Sequence, residues 1–256
     1  MFLDLPDHEA KPRTRGLTCC IDAGVPVGMF CDYMASIAPH IDFVKFGWGT
    51  GILTPRIAEK IASLQEHDIS YWFGGTLFEL SYRQNRLDEF VAWVKDHGAT
   101  YIEISDGTIP LAAPTKLELI ERLAQDFRVL SEVGSKDAQK IMSPARWIEG
   151  IRSELNAGAW RVVAEGRESG TAGIFRDTGE IRAGLVMEIV EAGIDIDKIM
   201  FEAPQKSQQA WLIKMLGVNV NLSNIALADA TNVETLRLGL RFDTIDVEGN
   251  GDDYRA

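Results

Sequence analysis

Five acidic residues, Asp22, Glu103, Glu132, Glu165 and Glu202, each close a short apolar run, as in T-Y-I-E, W-R-V-V-A-E and K-I-M-F-E. Cations stand among them. Lys45 ends I-D-F-V-K, Lys136 follows a glycine turn in L-S-E-V-G-S-K, and Arg167 and Lys206 lie just past Glu165 and Glu202. Carboxylates gathered at one place repel strongly unless a metal or a lysine sits between them. All-oxygen ligation without histidine suits Mg2+, which makes Glu103, Glu132 and Glu165 candidate ligands. Two stretches read as anion loops. In G-R-E-S-G-T-A-G, the glycines, Gly170 among them, free backbone N–H groups to face an anion next to Ser169, while Arg167 offers a fork. In Q-K-S-Q-Q, Lys206 and Ser207 open a helix whose positive end adds to the attraction. Together the two loops favour a phosphorylated ligand.

These side chains need a scaffold that brings them to one face. Eight apolar runs end at Asp22, Lys45, Gly74, Glu103, Glu132, Glu165, Glu202 and Asn221, spaced by about 28 residues, the length of one strand and one crossover helix. Eight such units predict a (β/α)8 TIM barrel, whose chemistry sits at the carboxyl ends of its strands. The intervening helices are expected over 25–38, 55–66, 76–96, 115–126, 144–156, 180–192, 208–216 and 232–240. Residues 1–15 read as a surface arm laid over the bottom of the barrel. Residues 16–246 read as one catalytic domain and 247–256 as a disordered polar tail. In F-G-W-G-T, two glycines around a tryptophan predict a backbone that comes close to a ligand or to the next loop.

Composition removes other classes. With 256 residues and 46% hydrophobic content, the chain can bury a large core. A formal charge of −12 argues against nucleic-acid binding, which needs a basic face. No apolar run reaches the roughly 18 residues of a membrane span, and the start lacks the features of a signal peptide, so no membrane partner and a cytoplasmic location are expected. Cys19, Cys20 and Cys31 form no C-x-x-C pattern, and adjacent strand residues Cys19 and Cys20 should point to opposite faces as reduced thiols. His40, His67 and His97 precede strands and so lie at the opposite end from the strand-end loops, with His8 in the arm. That argues against zinc hydrolase and Ser-His-Asp chemistry.

The motifs resemble the phosphosulfolactate synthase family from about residue 11 to 243. They are K-P-R at 11–13, I-D-F-V-K-F-G-W-G-T at 41–50, G-G-T-L-F-E at 74–79, E-I-S-D-G at 103–107, E-V-G at 132–134, E-G-R-E-S-G at 165–170, F-E-A-P-Q-K-S-Q-Q at 201–209 and N-L-S-N-I at 221–225. The resemblance implies a barrel that adds sulfite to phosphoenolpyruvate with Mg2+, giving (2R)-2-phospho-3-sulfolactate, the first step of a route to coenzyme M. It implies a homo-oligomer and an acid lysine, matched here to Lys136 because the segment after E-V-G reads S-K-D. Lys45 and Lys136 are then the catalytic candidates. Arg167, Ser169, Gly170, Lys206, Ser207 and Asn221 are the candidate substrate contacts, with the metal held by some of Glu103, Glu132 and Glu165. The family also holds plant heat-stress-associated relatives, so a non-catalytic or stress-related member is one alternative. A class I aldolase with a Schiff base on Lys136 is another.

Overall fold

The computed structural model describes residues 2–135 and 141–247. Its strands are β1 (Thr18–Asp22), β2 (Phe43–Phe46), β3 (Ser70–Phe73), β4 (Tyr101–Ile104), β5 (Arg128–Val133), β6 (Arg161–Ala164), β7 (Ile199–Glu202) and β8 (Leu222–Ala226). All pairings are parallel, in the order β3-β2-β1-β8-β7-β6-β5-β4, and β3 lies beside β4 to bring the ring together. Helices α1 (Val27–Ile37), α2 (Thr50–Leu53), α3 (Ile57–Glu66), α4 (Gly75–Arg83), α5 (Leu87–Asp96), α6 (Ala113–Leu123), α7 (Pro144–Asn156), α8 (Ala183–Glu191), α9 (Lys206–Leu216) and α10 (Ala230–Arg237) lie between and after the strands. The chain is a single-domain (β/α)8 barrel. No helix among the described residues is long and apolar enough to cross a membrane.

Strand side chains alternate between two faces. Leu17, Cys19, Phe43, Trp72, Tyr101, Leu130, Val163 and Met200 form an inner core. Cys20, Val44, Phe46, Ile102, Val129 and Val162 belong to the larger core that also holds the helices. The two adjacent cysteines do face opposite sides, and both are free thiols. Two residues past an inner apolar side chain, five strands deliver a polar one with the same inward parity. These are Lys45 after Phe43, Glu103 after Tyr101, Glu132 after Leu130, Glu165 after Val163 and Glu202 after Met200. Each of these five strands is thus apolar at its base and charged at its mouth.

The bottom of the barrel is floored by aromatic rings. Phe43, Tyr101 and Trp160 meet with centroids 5.2 to 5.7 Å apart, at the tilted and edge-on angles that aromatic pairs prefer. The N-terminal arm crosses this end. Lys11 Nζ donates to the carbonyls of Ala38 (3.0 Å) and Ile41 (2.8 Å), Arg13 pairs with Asp42 at 3.2 Å, and Asn219 donates to the Asp7 carbonyl at 3.0 Å.

Three expectations need correction. The single helix over 76–96 is two helices, α4 and α5, because Asn85 adopts a left-handed φ of 56° and the Arg86 N–H turns back to the Ser81 carbonyl. Asp22 does not face the mouth. In β1 the inward residues are Cys19 and Ile21, so Asp22 points outward, where its carboxylate accepts from Lys60 of α3 and from the Gly24 and Val25 N–H groups. Strand β8 begins after Asn221 instead of ending there, which moves that asparagine to the bottom of the barrel.

Between β3 and β4 no ladder is formed among the described residues. Side chains bridge the seam instead. The Trp72 indole N–H donates to Glu103 Oε2 at 2.6 Å, and the Gly75 N–H donates to Glu103 Oε1 at 2.8 Å. Gly75 must stay small, since a Cβ there would lie 2.3 Å from Ser105 Oγ and 2.7 Å from Glu103 Oε1.

Candidate active site

The mouth is built around one buried ammonium. Lys45 Nζ lies 3.2 Å from Glu202 Oε1 and 3.6 Å from Glu103 Oε2. Burial would lower its pKa, but Glu103, Glu202 and Glu132 outweigh burial and hold the ammonium well above the usual lysine range. Lys45 is therefore a fixed positive charge at neutral pH. Glu202 Oε2 also accepts from the Gly166 N–H at 3.0 Å, and Glu165 Oε1 from the Arg167 N–H at 2.6 Å. Glu132, Glu165, Glu168 and Arg167 complete the charged lining. The count is five carboxylates, Glu103, Glu132, Glu165, Glu168 and Glu202, against two cations among the described residues.

Beneath this layer, Cys19 is a thiol that burial pushes up to about 12. It stays protonated at neutral pH and is not a nucleophile. At the rim, Trp48 holds a left-handed φ of 52° and leaves its indole 40% exposed, which is the outcome of the F-G-W-G-T stretch.

The predicted site residues separate into groups. Lys45, Glu103, Glu132, Glu165 and Arg167 converge on the mouth. Lys136 falls outside the described residues; β5 carries the chain to Val133, and Ser135 is the last residue described before it. Ser169 is exposed and shares a hydrogen bond with Thr171 at 2.6 Å, while the Gly170 N–H donates to the Arg167 carbonyl at 3.0 Å. The amides of Gly166, Arg167 and Gly170 are thus taken up inside the loop, by two carboxylates and a carbonyl. Gly173 has a structural reason, because a Cβ there would lie 1.8 Å from the Glu165 carbonyl oxygen. Lys206 turns away to an exposed pair with Asp243 at 2.5 Å, and Ser207 is exposed on the same first turn of α9. Asn221 is not brought to the mouth. Its amide accepts from the Leu17 N–H at 3.0 Å and donates to the carbonyls of Asp197 and Ile199, both at 3.0 Å.

The Q-K-S-Q-Q segment works through its glutamines. Gln205 and Gln208 form a capping box on α9, and Gln208 Nε2 donates to the Gly170 and Gly179 carbonyls, which ties the loop after β6 to the helix after β7. Glu79 of G-G-T-L-F-E similarly accepts from Ser105 and from the Thr108 N–H at 2.8 Å, pinning the loop after β4. Lys116 donates to the Glu132 carbonyl at 2.6 Å and pairs with Glu154 at 2.8 Å and Asp106 at 3.1 Å. Burial lowers its pKa, but Glu154 and Asp106 raise it overall. These residues position the mouth without lining it. Their signal in the sequence was a charge at a core position of an otherwise apolar helix face: Lys60 among Ile61 and Leu64, and Lys116 among Leu119, Ile120 and Leu123.

As for Mg2+, the donors present are hard carboxylate oxygens, which fit it. Among the described residues no three acids converge as a ligand group. Both oxygens of Glu103 already accept from the Trp72 and Gly75 N–H groups. Mg2+ commonly takes only one or two carboxylates and keeps waters, so some of Glu103, Glu132 and Glu165 suffice for it.

A family model described as (2R)-phospho-3-sulfolactate synthase matches residues 6–243. The chain belongs to the phosphosulfolactate synthase family. It is an enzyme of that family. It is 47% identical over 244 residues to the phosphosulfolactate synthase of Bacillus subtilis (strain 168), covering 94% of this chain and 97% of that one. It is 41% identical over 236 residues to that of Methanocaldococcus jannaschii, covering 90% and 94%. Among solved structures, it is similar to 3-hexulose-6-phosphate synthase from Salmonella typhimurium, with a TM-score of 0.56 at 13% identity over 86% of this chain and 98% of the other. That likeness shows the barrel fold alone.

Proposed function

We propose that this member of the phosphosulfolactate synthase family adds sulfite to phosphoenolpyruvate, giving (2R)-2-phospho-3-sulfolactate, with Mg2+ as cofactor and in service of a coenzyme M route. The observation that carries the reading is Lys45, an ammonium held charged at the centre of a carboxylate-lined mouth. Both substrates are anions. Among the described residues the lining sets five carboxylates against two cations, a balance that would repel them, so the reading calls for the further positive charge of a divalent ion and of Lys136.

Sulfite attacks C3 of phosphoenolpyruvate through a sulfur lone pair, the C2–C3 π electrons move toward C2 and the carboxylate, and a proton then arrives at C2. Some of Glu103, Glu132 and Glu165 would hold Mg2+, which would supply electrostatic stabilisation of the charge that builds on the substrate carboxylate. Lys45 offsets the field of the neighbouring acids. Arg167 presents a half-exposed guanidinium at the rim for an anionic oxygen. Lys136 delivers the proton to C2 as an ammonium.

The test is incubation with phosphoenolpyruvate, sulfite and Mg2+, with the adduct detected by mass. Product is expected with Mg2+ and lost with chelator; full activity in excess chelator overturns the metal role. A borohydride-trapped adduct on Lys136 would overturn the mechanism in favour of an imine.

A further inference from the structure

In V-N-V-N-L-S-N-I-A, two asparagines three residues apart look equivalent, and the fold assigns them to opposite ends of β8. Asn221 is satisfied at the bottom. Asn224 lines the mouth with Lys45, Glu165 and Glu202. Its placement is unusual for a strand residue in two ways. Its φ is +57°, the left-handed region that asparagine tolerates and most residues avoid. The β1–β8 ladder also shifts register here. Thr18 faces Leu222 but Cys20 faces Ile225, so two steps on β1 match three on β8, a bulge spanning Ser223 and Asn224. Bulges beside active sites re-aim a side chain, and this one turns Asn224 into the mouth.

The side chain is 5% exposed, and its Oδ1 is buried with no hydrogen-bond partner among the described residues. Glycine would occupy the same φ at lower cost. Keeping an amide there, with its Oδ1 buried without a partner among the described residues and on a strained backbone, fits a partner that a bound ligand brings. We infer that Asn224 is a substrate-binding residue whose amide hydrogen-bonds the anionic substrate. An amide oxygen and nitrogen are interchangeable by a flip, so the group can turn an N–H toward an anionic oxygen. An uncharged donor suits this position, since it attracts one oxygen without adding to the field of the surrounding acids.

The inference rests on the proposed reaction, and the experiment separates the two. Asn224→Gly retains the left-handed backbone and removes only the amide. Thermal unfolding should be close to wild type while KM for phosphoenolpyruvate rises about 10- to 100-fold, the loss of one hydrogen bond to a charged group. Asn224→Asp keeps the shape and adds a negative charge, so its kcat/KM should fall further than that of Asn224→Gly. Calorimetric binding of phosphoenolpyruvate in the presence of Mg2+ is measured in parallel. An Asn224→Gly protein with wild-type KM and wild-type binding overturns the inference and leaves the reaction standing. A wild-type protein that binds phosphoenolpyruvate but makes no adduct overturns the reaction, and weaker binding by Asn224→Gly then still supports the contact. A wild-type protein that does neither overturns both.

Discussion

Two buried cations sit at opposite ends of this barrel, and their surroundings push them in opposite directions. Lys45 at the mouth meets carboxylates, which hold it above its ordinary range against the cost of burial. Arg237 at the bottom donates to the carbonyls of Val218, Val220 (2.8 Å) and Leu17 (3.3 Å) and to the Thr18 hydroxyl (3.3 Å), and burial lowers it to about 10. Neutral acceptors satisfy geometry without returning the full hydration of a charge, whereas carboxylates overcompensate. The bottom cation stitches β8 to β1. The mouth cation sets a field. Volume points the wrong way: the bottom hollow beside Tyr101 and Trp160 encloses about 420 Å³ and the mouth about 40 Å³. Charge, and not room, marks the site.

That contrast can be broken at either end. Lys45→Met should have the largest effect. It removes the ammonium from its pairs with Glu103 and Glu202, and removing one partner of a buried ion pair costs about 3–5 kcal/mol. Urea unfolding at pH 7 reads that loss, and product formation should fall on the order of 1000-fold. In the wild type, the raised Lys45 pKa means its contribution is complete below about 10.5 and fades only as pH climbs through the higher folded value. A Lys45→Met protein as stable as wild type at pH 7 would contradict the electrostatic account.

Arg237→Met comes next. It leaves several buried carbonyls without donors, at about 1–3 kcal/mol each before relaxation, while kcat per folded molecule should stay within about twofold. A large fall in kcat at full folding would mean that the two ends are coupled. The smallest effect belongs to Lys206→Ala. Its pair with Asp243 is about half exposed and is worth about 0–1 kcal/mol, and KM for phosphoenolpyruvate should change by less than about twofold. A tenfold rise in KM would return Lys206 to the anion-binding set.

How much of this could be read from the residues depends on parity and distance. The eight strands and the inward Lys45, Glu103, Glu132, Glu165 and Glu202 were legible because alternation carries a charge two positions past an inner apolar side chain. Asp22 was misplaced because C-C-I-D offers no polar residue to show which parity faces in. Asn221 was misplaced because V-N-V-N-L-S-N alternates past both candidate ends of the strand, and a bulge, invisible to a period of two, decides which asparagine reaches the mouth. The partners of Glu79, Lys60 and Lys116 lie 10 to 38 residues away, and only folding reveals them. The glycines of 166–173 were read as freeing amides for an anion, but the Gly166 amide meets Glu202 and the Gly170 amide meets the Arg167 carbonyl.

The seam between β3 and β4 has a mechanical consequence. Backbone ladders run through every other strand junction, so the barrel is a split hoop whose gap is spanned by a strut from the Trp72 indole and the Gly75 amide to Glu103. That same carboxylate answers to Lys45. Stiffness at the joint and charge at the mouth are therefore one variable. Whatever draws Glu103 toward a bound anion's counter-charge also pulls on the strut, so a change of charge at the mouth is transmitted to the junction of β3 and β4.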